Sequence, residues 1–170
     1  MFILEALWFF VPAVAANQCP GLAAKLDLPG NRPVSTRWLG ANKTWAAYYA
    51  AAFGATLAIY LQRLAPMPEG FELLDYERPE LWLVGLAFGL GTVLGDHAKS
   101  FVKRRFGIPP GDPWWPFDQL DYVVGSLLLV APFSGWIGGE RVATLVVTVL
   151  LLNPLVNGIG YRLKLRKVPW

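Results

Sequence analysis

At 170 residues the chain has room for one domain, and its make-up, 55% hydrophobic and 16% charged with mean hydropathy +0.40, excludes an ordinary water-soluble surface. Eight Trp and ten Phe suit the aromatic belts of a bilayer protein. The net charge of +3 and pI near 9.1 do not indicate nucleic acid, because the basic residues flank apolar segments and form no continuous stripe; the single Cys19 excludes an internal disulfide and gives no metal-ligand spacing.

The predicted elements are five membrane helices, over about 1–18, 44–64, 81–96, 121–137 and 142–161, which makes residues 1–170 one all-α integral membrane domain. Met1 to Ala16 is apolar except for Glu5. It has the length of a signal peptide, with Ala13-Val14-Ala15 as a possible cleavage site, but no Lys or Arg precedes it, so a retained helix reaching about Gln18 is expected. Residues 17–43 read as a polar connection, where Pro20, Gly21, Pro29, Gly30 and Pro33 oppose a long helix. Asn42 and Lys43 precede the second span, with Thr44 as its candidate cap and Trp45 as an interface anchor. The loop 65–80 is acidic, with Glu69, Glu72, Asp75, Glu77 and Glu80 against Arg78. In the third span Gly85, Gly89 and Gly91 invite a close helix neighbour. The fourth span ends in the turn Ser134 to Glu140, and the fifth carries Pro154 as an expected kink between Asn153 and Asn157. A basic tail follows, with Arg162, Lys164, Arg166 and Lys167. There is no internal repeat.

The basic residues orient these spans. Segments 17–43 and 96–120 and the tail hold four Lys or Arg each, and the other side keeps only Arg63, Arg78 and Arg141. By the positive-inside rule the N-terminus lies outside and the C-terminus in the cytoplasm.

One stretch, Gly95 to Tyr122, concentrates the chemistry. It holds Asp96, Asp112, Asp118 and Asp121 together with Lys99, Lys103, Arg104 and Arg105. A basic loop can exist for topology alone. Here, however, Asp96 ends span three and Asp121 begins span four, so antiparallel neighbours bring both carboxylates to one membrane depth. Asp118 and Asp121 share a face if the helix begins before Asp118. Carboxylates at a membrane boundary are costly without partners and therefore mark function. Interleaved with cations, they suit Mg²⁺ held beside phosphates. Lys99 and Lys103, four residues apart, can face those phosphates together. His97 beside Asp96 reads as a structural hydrogen-bond partner in preference to a general base.

The motif Gly95-Asp96, Lys99-Ser100-Phe101-x-Lys103-Arg104, Gly107-Ile108, Pro110-Gly111 and Asp118-x-x-Asp121 resembles the signature of the CTP-dependent phosphatidate cytidylyltransferases, the CDP-diacylglycerol synthases. Lys43-Thr44-Trp45 is similar to that family's Pro-x-Lys-Thr-Trp. The chain lacks the family's His-Gly-Gly after Pro110-Gly111, has Gln119 in place of an Arg, and is much shorter. Those departures, with Asp118-Gln119-Leu120-Asp121, Gly40-x-x-Lys43-Thr44-Trp45 and Asn17-x-x-Pro20, resemble the archaeal branch, the five-span CDP-archaeol synthases. The CDP-alcohol phosphotransferases fit poorly, since Asp96 is followed by His97 and the later aspartates are three apart. A small transporter or interaction protein would explain the spans and leave the carboxylates unexplained.

The resemblance implies a multi-pass cell-membrane enzyme with its active site at the cytoplasmic face. Its reaction would be CTP with 2,3-bis-O-(geranylgeranyl)-sn-glycerol 1-phosphate, giving the CDP-lipid and pyrophosphate. Asp96, Asp118 and Asp121 would hold Mg²⁺. Lys99 and Lys103 would act at the reacting phosphates, with Lys43, Thr44 and Arg104 binding phosphate and Asn42 and Asn17 contacting substrate. The sequence carries no signal for oligomeric state.

Overall fold

Five helices account for nearly all regular structure in the computed structural model, which describes residues 2–65, 71 and 73–162. They are α1 (Phe2–Lys25), α2 (Ala46–Arg63), α3 (Leu81–Arg105), α4 (Phe117–Ser134) and α5 (Gly139–Arg162). Glu69, Glu72 and the tail residues Lys164, Arg166 and Lys167 lie outside the described residues. Among the described residues α1, α3 and Gly139–Ile159 of α5 are each long and apolar enough to cross a membrane. The expected all-α membrane protein is what the chain forms.

Consecutive helices pack side by side in alternating direction. Trp8 near the start of α1 meets Gln62 near the end of α2, whose amide donates to the Trp8 carbonyl at 2.6 Å. Across α2 and α3, a Cβ on Gly85 would lie 2.5 Å from Thr56 Oγ1, and one on Gly89 2.5 Å from Ala52 Cα. The next close approach, from Gly91 to Gly125 and Ser126, is on α4. The three glycines foreseen for one neighbour therefore serve two, because residues 85 and 89 share one helix face and 91 lies on another. The fifth helix contacts α1 and α4. It is tied at its start by Arg141, which holds the buried Glu5 carboxylate at 2.7 Å. Phe9 against Phe88 (ring centroids 5.3 Å apart) and Phe10 against Tyr122 (5.7 Å) fill the centre. Lipid tails are as apolar as these side chains, so close packing is what holds the helices together.

The helix of span three runs past the expected residue 96 to Arg105 and so carries Lys99 and Lys103, and that of span five begins at Gly139 in place of residue 142. Three further ends differ from the sequence expectation. First, α1 does not stop near Gln18; it runs through Pro20 and Gly21 to Lys25. Pro20 removes one backbone donor, at a cost of roughly 3 kcal/mol in a helix interior. The helix continues because its last turns pack on α2, with Ala23 buried against Ala46 and Ala50 beside Cys19. Second, Thr44 does not cap α2. The cap position is Trp45, without a side-chain bond. The connecting loop folds back and supplies acceptors instead: Ala46 N–H donates to the Gly30 carbonyl at 2.9 Å and Trp45 N–H to the Arg32 carbonyl at 3.2 Å. Third, α4 starts at Phe117 and ends at Ser134, where Gly135 at φ +69° breaks the helix, three residues before the expected end.

Candidate active site

Gly95 and Gly125 bring the site together. A Cβ on Gly95 would overlap the Asp121 carbonyl, and one on Gly125 would lie 2.8 Å from Gly95 Cα. Only glycine allows α3 and α4 to touch backbone to backbone at this level. Asp96 follows Gly95 directly, and Asp121 precedes Gly125 by one turn, so the contact sets both carboxylates side by side. Since α4 begins ahead of Asp118, that residue joins Asp121 on the same face.

The three carboxylates surround one atom, Lys99 Nζ, at 3.1 Å from Asp96 Oδ1, 2.9 Å from Asp118 Oδ1 and 2.8 Å from Asp121 Oδ2. Two further ammonium groups extend the cluster. Lys43 Nζ lies 2.6 Å from Asp96 Oδ2, and Lys103 Nζ lies 3.1 Å from Asp118 Oδ2 while also donating to the Asp112 carbonyl. Backbone donors complete the carboxylate shells, Trp114 N–H to Asp118 at 2.5 Å and Tyr122 N–H to Asp121 at 2.6 Å. Asp118 sits in the turn ahead of the apolar part of α4. Burial pushes its pKa up, but the Lys99 ammonium, the Trp114 N–H and Lys103 outweigh burial and hold the carboxyl below its usual range.

Among the described residues no three His, Cys, Asp or Glu side chains stand together in an arrangement that could hold a metal ion. The positive charge at the centre of the carboxylates is the Lys99 ammonium. The donor set itself, carboxylate oxygens only, is the chemistry Mg²⁺ selects.

Lys43, Lys99, Lys103 and Asp118 of the cluster line one wall of a cavity of about 580 Å³ at the α3–α4 loop end of the bundle, while Asp96 and Asp121 lie behind them and do not border it. Lys43, Lys99, Lys103, Arg104, Asn17 and Asn42 line it, so every cation and amide expected from the sequence reaches it. Arg104 also ties back on its own loop, donating to the Ile108 carbonyl. A second cavity of about 250 Å³ lies beside it, and Lys43, Asn17 and Asn42 border both. Thr44 reaches only the smaller one, with Asp96 and Thr92. His97 is buried against Tyr48 (centroids 5.2 Å apart), with Nδ1 2.8 Å from the Val93 carbonyl, and borders neither cavity. Its position fits the structural role.

Sequence reasoning missed Gln119, Asn153 and Asn157 as cavity residues. A signal was present for two of them. Asn153 and Asn157, four residues apart on an otherwise apolar helix, must share one face, and a polar face in such a helix turns inward.

A family model described as "CarS-like: CDP-archaeol synthase" matches residues 1–170. The CDP-archaeol synthase of Methanospirillum hungatei is 35% identical over 168 residues, covering 94% of this chain and 99% of the relative. That of Aeropyrum pernix is 38% identical over 173 residues, covering 99% and 92%. A solved structure, described as an intramembrane enzyme for archaeal membrane lipids biosynthesis, superposes with a TM-score of 0.74 at 32% identity, covering 91% of this chain and 94% of that one.

Proposed function

The chain belongs to the CDP-archaeol synthase family, and from that premise we propose how its residues carry out the cytidylyl transfer. The substrates are CTP and 2,3-bis-O-(geranylgeranyl)-sn-glycerol 1-phosphate. A lipid phosphate oxygen forms a bond to the α-phosphorus of CTP, the bond from that phosphorus to the β-bridging oxygen breaks, and pyrophosphate leaves with the electron pair. The products are the CDP-lipid and pyrophosphate. The observation that carries this reading is the Lys43–Asp96–Lys99–Asp118–Lys103 cluster on the wall of a cavity.

The attacking oxygen needs no protein base, because a phosphomonoester's second pKa is about 6 and the group is already ionised at neutral pH. The buried His97 agrees with that economy. What the reaction requires is neutralisation of phosphate charge in the transition state. Lys43, Lys99, Lys103 and Arg104 supply it, with ammonium and guanidinium groups facing one cavity. Asn17 and Asn42 orient the bound groups by hydrogen bonds. Asp96, Asp118 and Asp121 fix the three ammonium groups in place. With Lys99 between them they form no ready metal site; were Lys99 to turn to the phosphates, their oxygens would hold Mg²⁺, which would supply further positive charge to the triphosphate.

With five spans and the N-terminus outside, as the distribution of Lys and Arg suggests, the site would face the cytoplasm, where CTP is found. Two features support this orientation. The site is built from the C-terminal ends of α1 and α3, the N-terminal end of α4, the second half of α5 and the loop before α2, all at one end of the bundle. Arg63, Arg78 and Arg141 are occupied at the other end, with Glu77, the Phe133 carbonyl and Glu5.

The test is to incubate the purified protein with labelled CTP, Mg²⁺ and either the isoprenoid ether phosphate or a diacyl phosphatidate. A labelled liponucleotide from the ether lipid is the expected product. None from either lipid would overturn the reading.

A further inference from the structure

We infer that Arg37, Trp38, Phe101 and Arg105 form a docking site for the phosphate of an anionic phospholipid of the surrounding bilayer, a lipid that is held and not turned over. The four residues border neither cavity, and the inference does not rest on the cytidylyl transfer proposed above.

The site is built where the loop before α2 meets the last turns of α3. Ser35 closes a tight turn in that loop. Its carbonyl accepts from the N–H groups of Leu39 at 3.0 Å and Gly40 at 3.2 Å, and its hydroxyl from the Trp38 N–H at 3.3 Å. The turn sets the Trp38 indole against α3, with ring centroids 5.9 Å apart between Trp38 and Phe101. Two guanidiniums lie on this pair. Arg37 Cζ stands 5.0 Å from the Trp38 centroid, and Arg105 Cζ stands 4.6 Å from the Trp38 centroid and 4.6 Å from that of Phe101. Stacking on a ring face orients a guanidinium and leaves its N–H edges to donate.

These two cations are without a counter-charge. Among the described residues the ion pairs engage Lys43, Arg63, Lys99, Lys103 and Arg141, and neither Arg37 nor Arg105 enters one. The neighbouring Arg104 turns the other way, to the Ile108 carbonyl and the larger cavity. Two positive groups are thus gathered on one aromatic pair with no carboxylate to answer them. A phosphate group answers both, because its oxygens accept several guanidinium N–H bonds at once.

Depth decides which phosphate. Trp82, exposed near the start of α3, and Phe101, exposed near its end, are nineteen residues apart. At 1.5 Å per residue they stand roughly 28 Å apart, close to the thickness of about 30 Å of a bilayer's hydrocarbon core. Their rings therefore mark its two edges, and Trp38 and Arg105, stacked on Phe101, stand at headgroup level. A soluble anion would leave the exposed rings of Trp38, Phe101 and Phe106 in water. A phospholipid covers them with its glycerol and upper chains while its phosphate meets the guanidiniums. The loop so held carries Leu39, Asn42 and Lys43 to the larger cavity, so the docked lipid steadies one of its walls.

Native mass spectrometry of the full chain, released from micelles holding equal amounts of phosphatidylglycerol and phosphatidylcholine, tests the site. The parent should retain phosphatidylglycerol over phosphatidylcholine by about ten-fold, the size of one hydrogen bond to a charged group. Arg37→Gln combined with Arg105→Gln should bring the two lipids to parity without moving the melting temperature. Trp38→Leu, which leaves both charges and removes the ring that orients them, should reduce the preference as well. Arg32→Gln, which removes an exposed cation of the same loop, should preserve it. Millimolar inorganic phosphate should leave the retained lipid in place. Parity in the parent would overturn the site, a result that needs no variant to fold. Equal losses in Arg32→Gln and the double variant would also overturn it, by reducing the effect to counted charge. Displacement by inorganic phosphate would do the same, by making this a site for a soluble anion. None of these readings uses turnover, so a failed docking site is distinguishable from a failed cytidylyl transfer.

Discussion

Charge at single atoms decides what this site does. Asp96→Asn, Asp118→Asn and Asp121→Asn keep side-chain size and remove one charge, and each should abolish turnover in a protein that still extracts and elutes as folded. Lys43→Ala or Lys103→Ala should slow turnover about a hundred- to a thousand-fold, the value of a charge contact made in the transition state. The control is Arg63→Ala. Arg63 pairs with the exposed Glu77 at the far end, where an ion pair is worth about 0–1 kcal/mol, and its loss should leave the rate within two-fold. Equal losses at both ends would mean that the site cations act only on topology. At this scale the sequence was informative wherever a charge sat in an apolar context, as for Asp96 and Asp121. It was silent on where long side chains end. Lys99 carries its ammonium into the middle of three carboxylates from two helices, a placement its sequence spacing does not encode. Gln119 stood out only as a departure from the family motif; that its buried amide oxygen lies unbonded beside the cavity is something no sequence pattern displays.

Helix approach distance is the property of elements that matters here. Gly125→Ala puts a methyl carbon into the α3 backbone at Gly95, and overpacking of this kind costs typically 1–3 kcal/mol. The variant should lose thermal stability and also activity, because the same contact aligns Asp96 with Asp121. Gly158→Ala on α5 meets open space and should leave both unchanged, or stabilise slightly through helix propensity. Thermal-shift and activity measurements on the pair make the comparison; a fall in stability without a fall in activity for Gly125→Ala would separate the contact from the site. Element existence was legible from apolar runs, and the close packing of α3 from its glycines. The ends were not. Proline at position 20 argued for a helix end, and packing of Ala23 against α2 overrode it. Thr44 had the right chemistry for a cap, but the fold-back of residues 30–45 had already satisfied the backbone donors it would have served.

The orientation of the whole molecule carries the active-site assignment, since CTP is cytoplasmic. With Cys19 replaced by Ser, a cysteine introduced at Asp75 should react with a membrane-impermeant thiol reagent in right-side-out vesicles. One introduced at Asp112 should react only after the membrane is opened. The opposite pattern would place the carboxylates away from the nucleotide and end the mechanism proposed above. At this scale the sequence offers an uneven distribution of Lys and Arg, because topology responds to counted charge and needs no side-chain geometry, and the labelling pattern is what decides it. What counting could not supply was the relation of α5 to the rest, which depends on the Glu5–Arg141 pair joining residues 136 positions apart.

The position of Lys99 Nζ has a consequence for how the protein comes into being. Three carboxylates gathered at a membrane boundary would repel one another in a newly inserted chain, and would ordinarily make assembly wait for an ion from outside. Here the counter-charge is part of the polypeptide and arrives with it, so biogenesis is uncoupled from cofactor supply. Without CTP, when Lys99 occupies the carboxylates, the melting temperature should therefore be indifferent to chelators. In Lys99→Met, which keeps the length and removes the charge, stability should fall and become dependent on added divalent cation; a variant as indifferent to the cation as its parent would show that the lysine is no such built-in counter-ion.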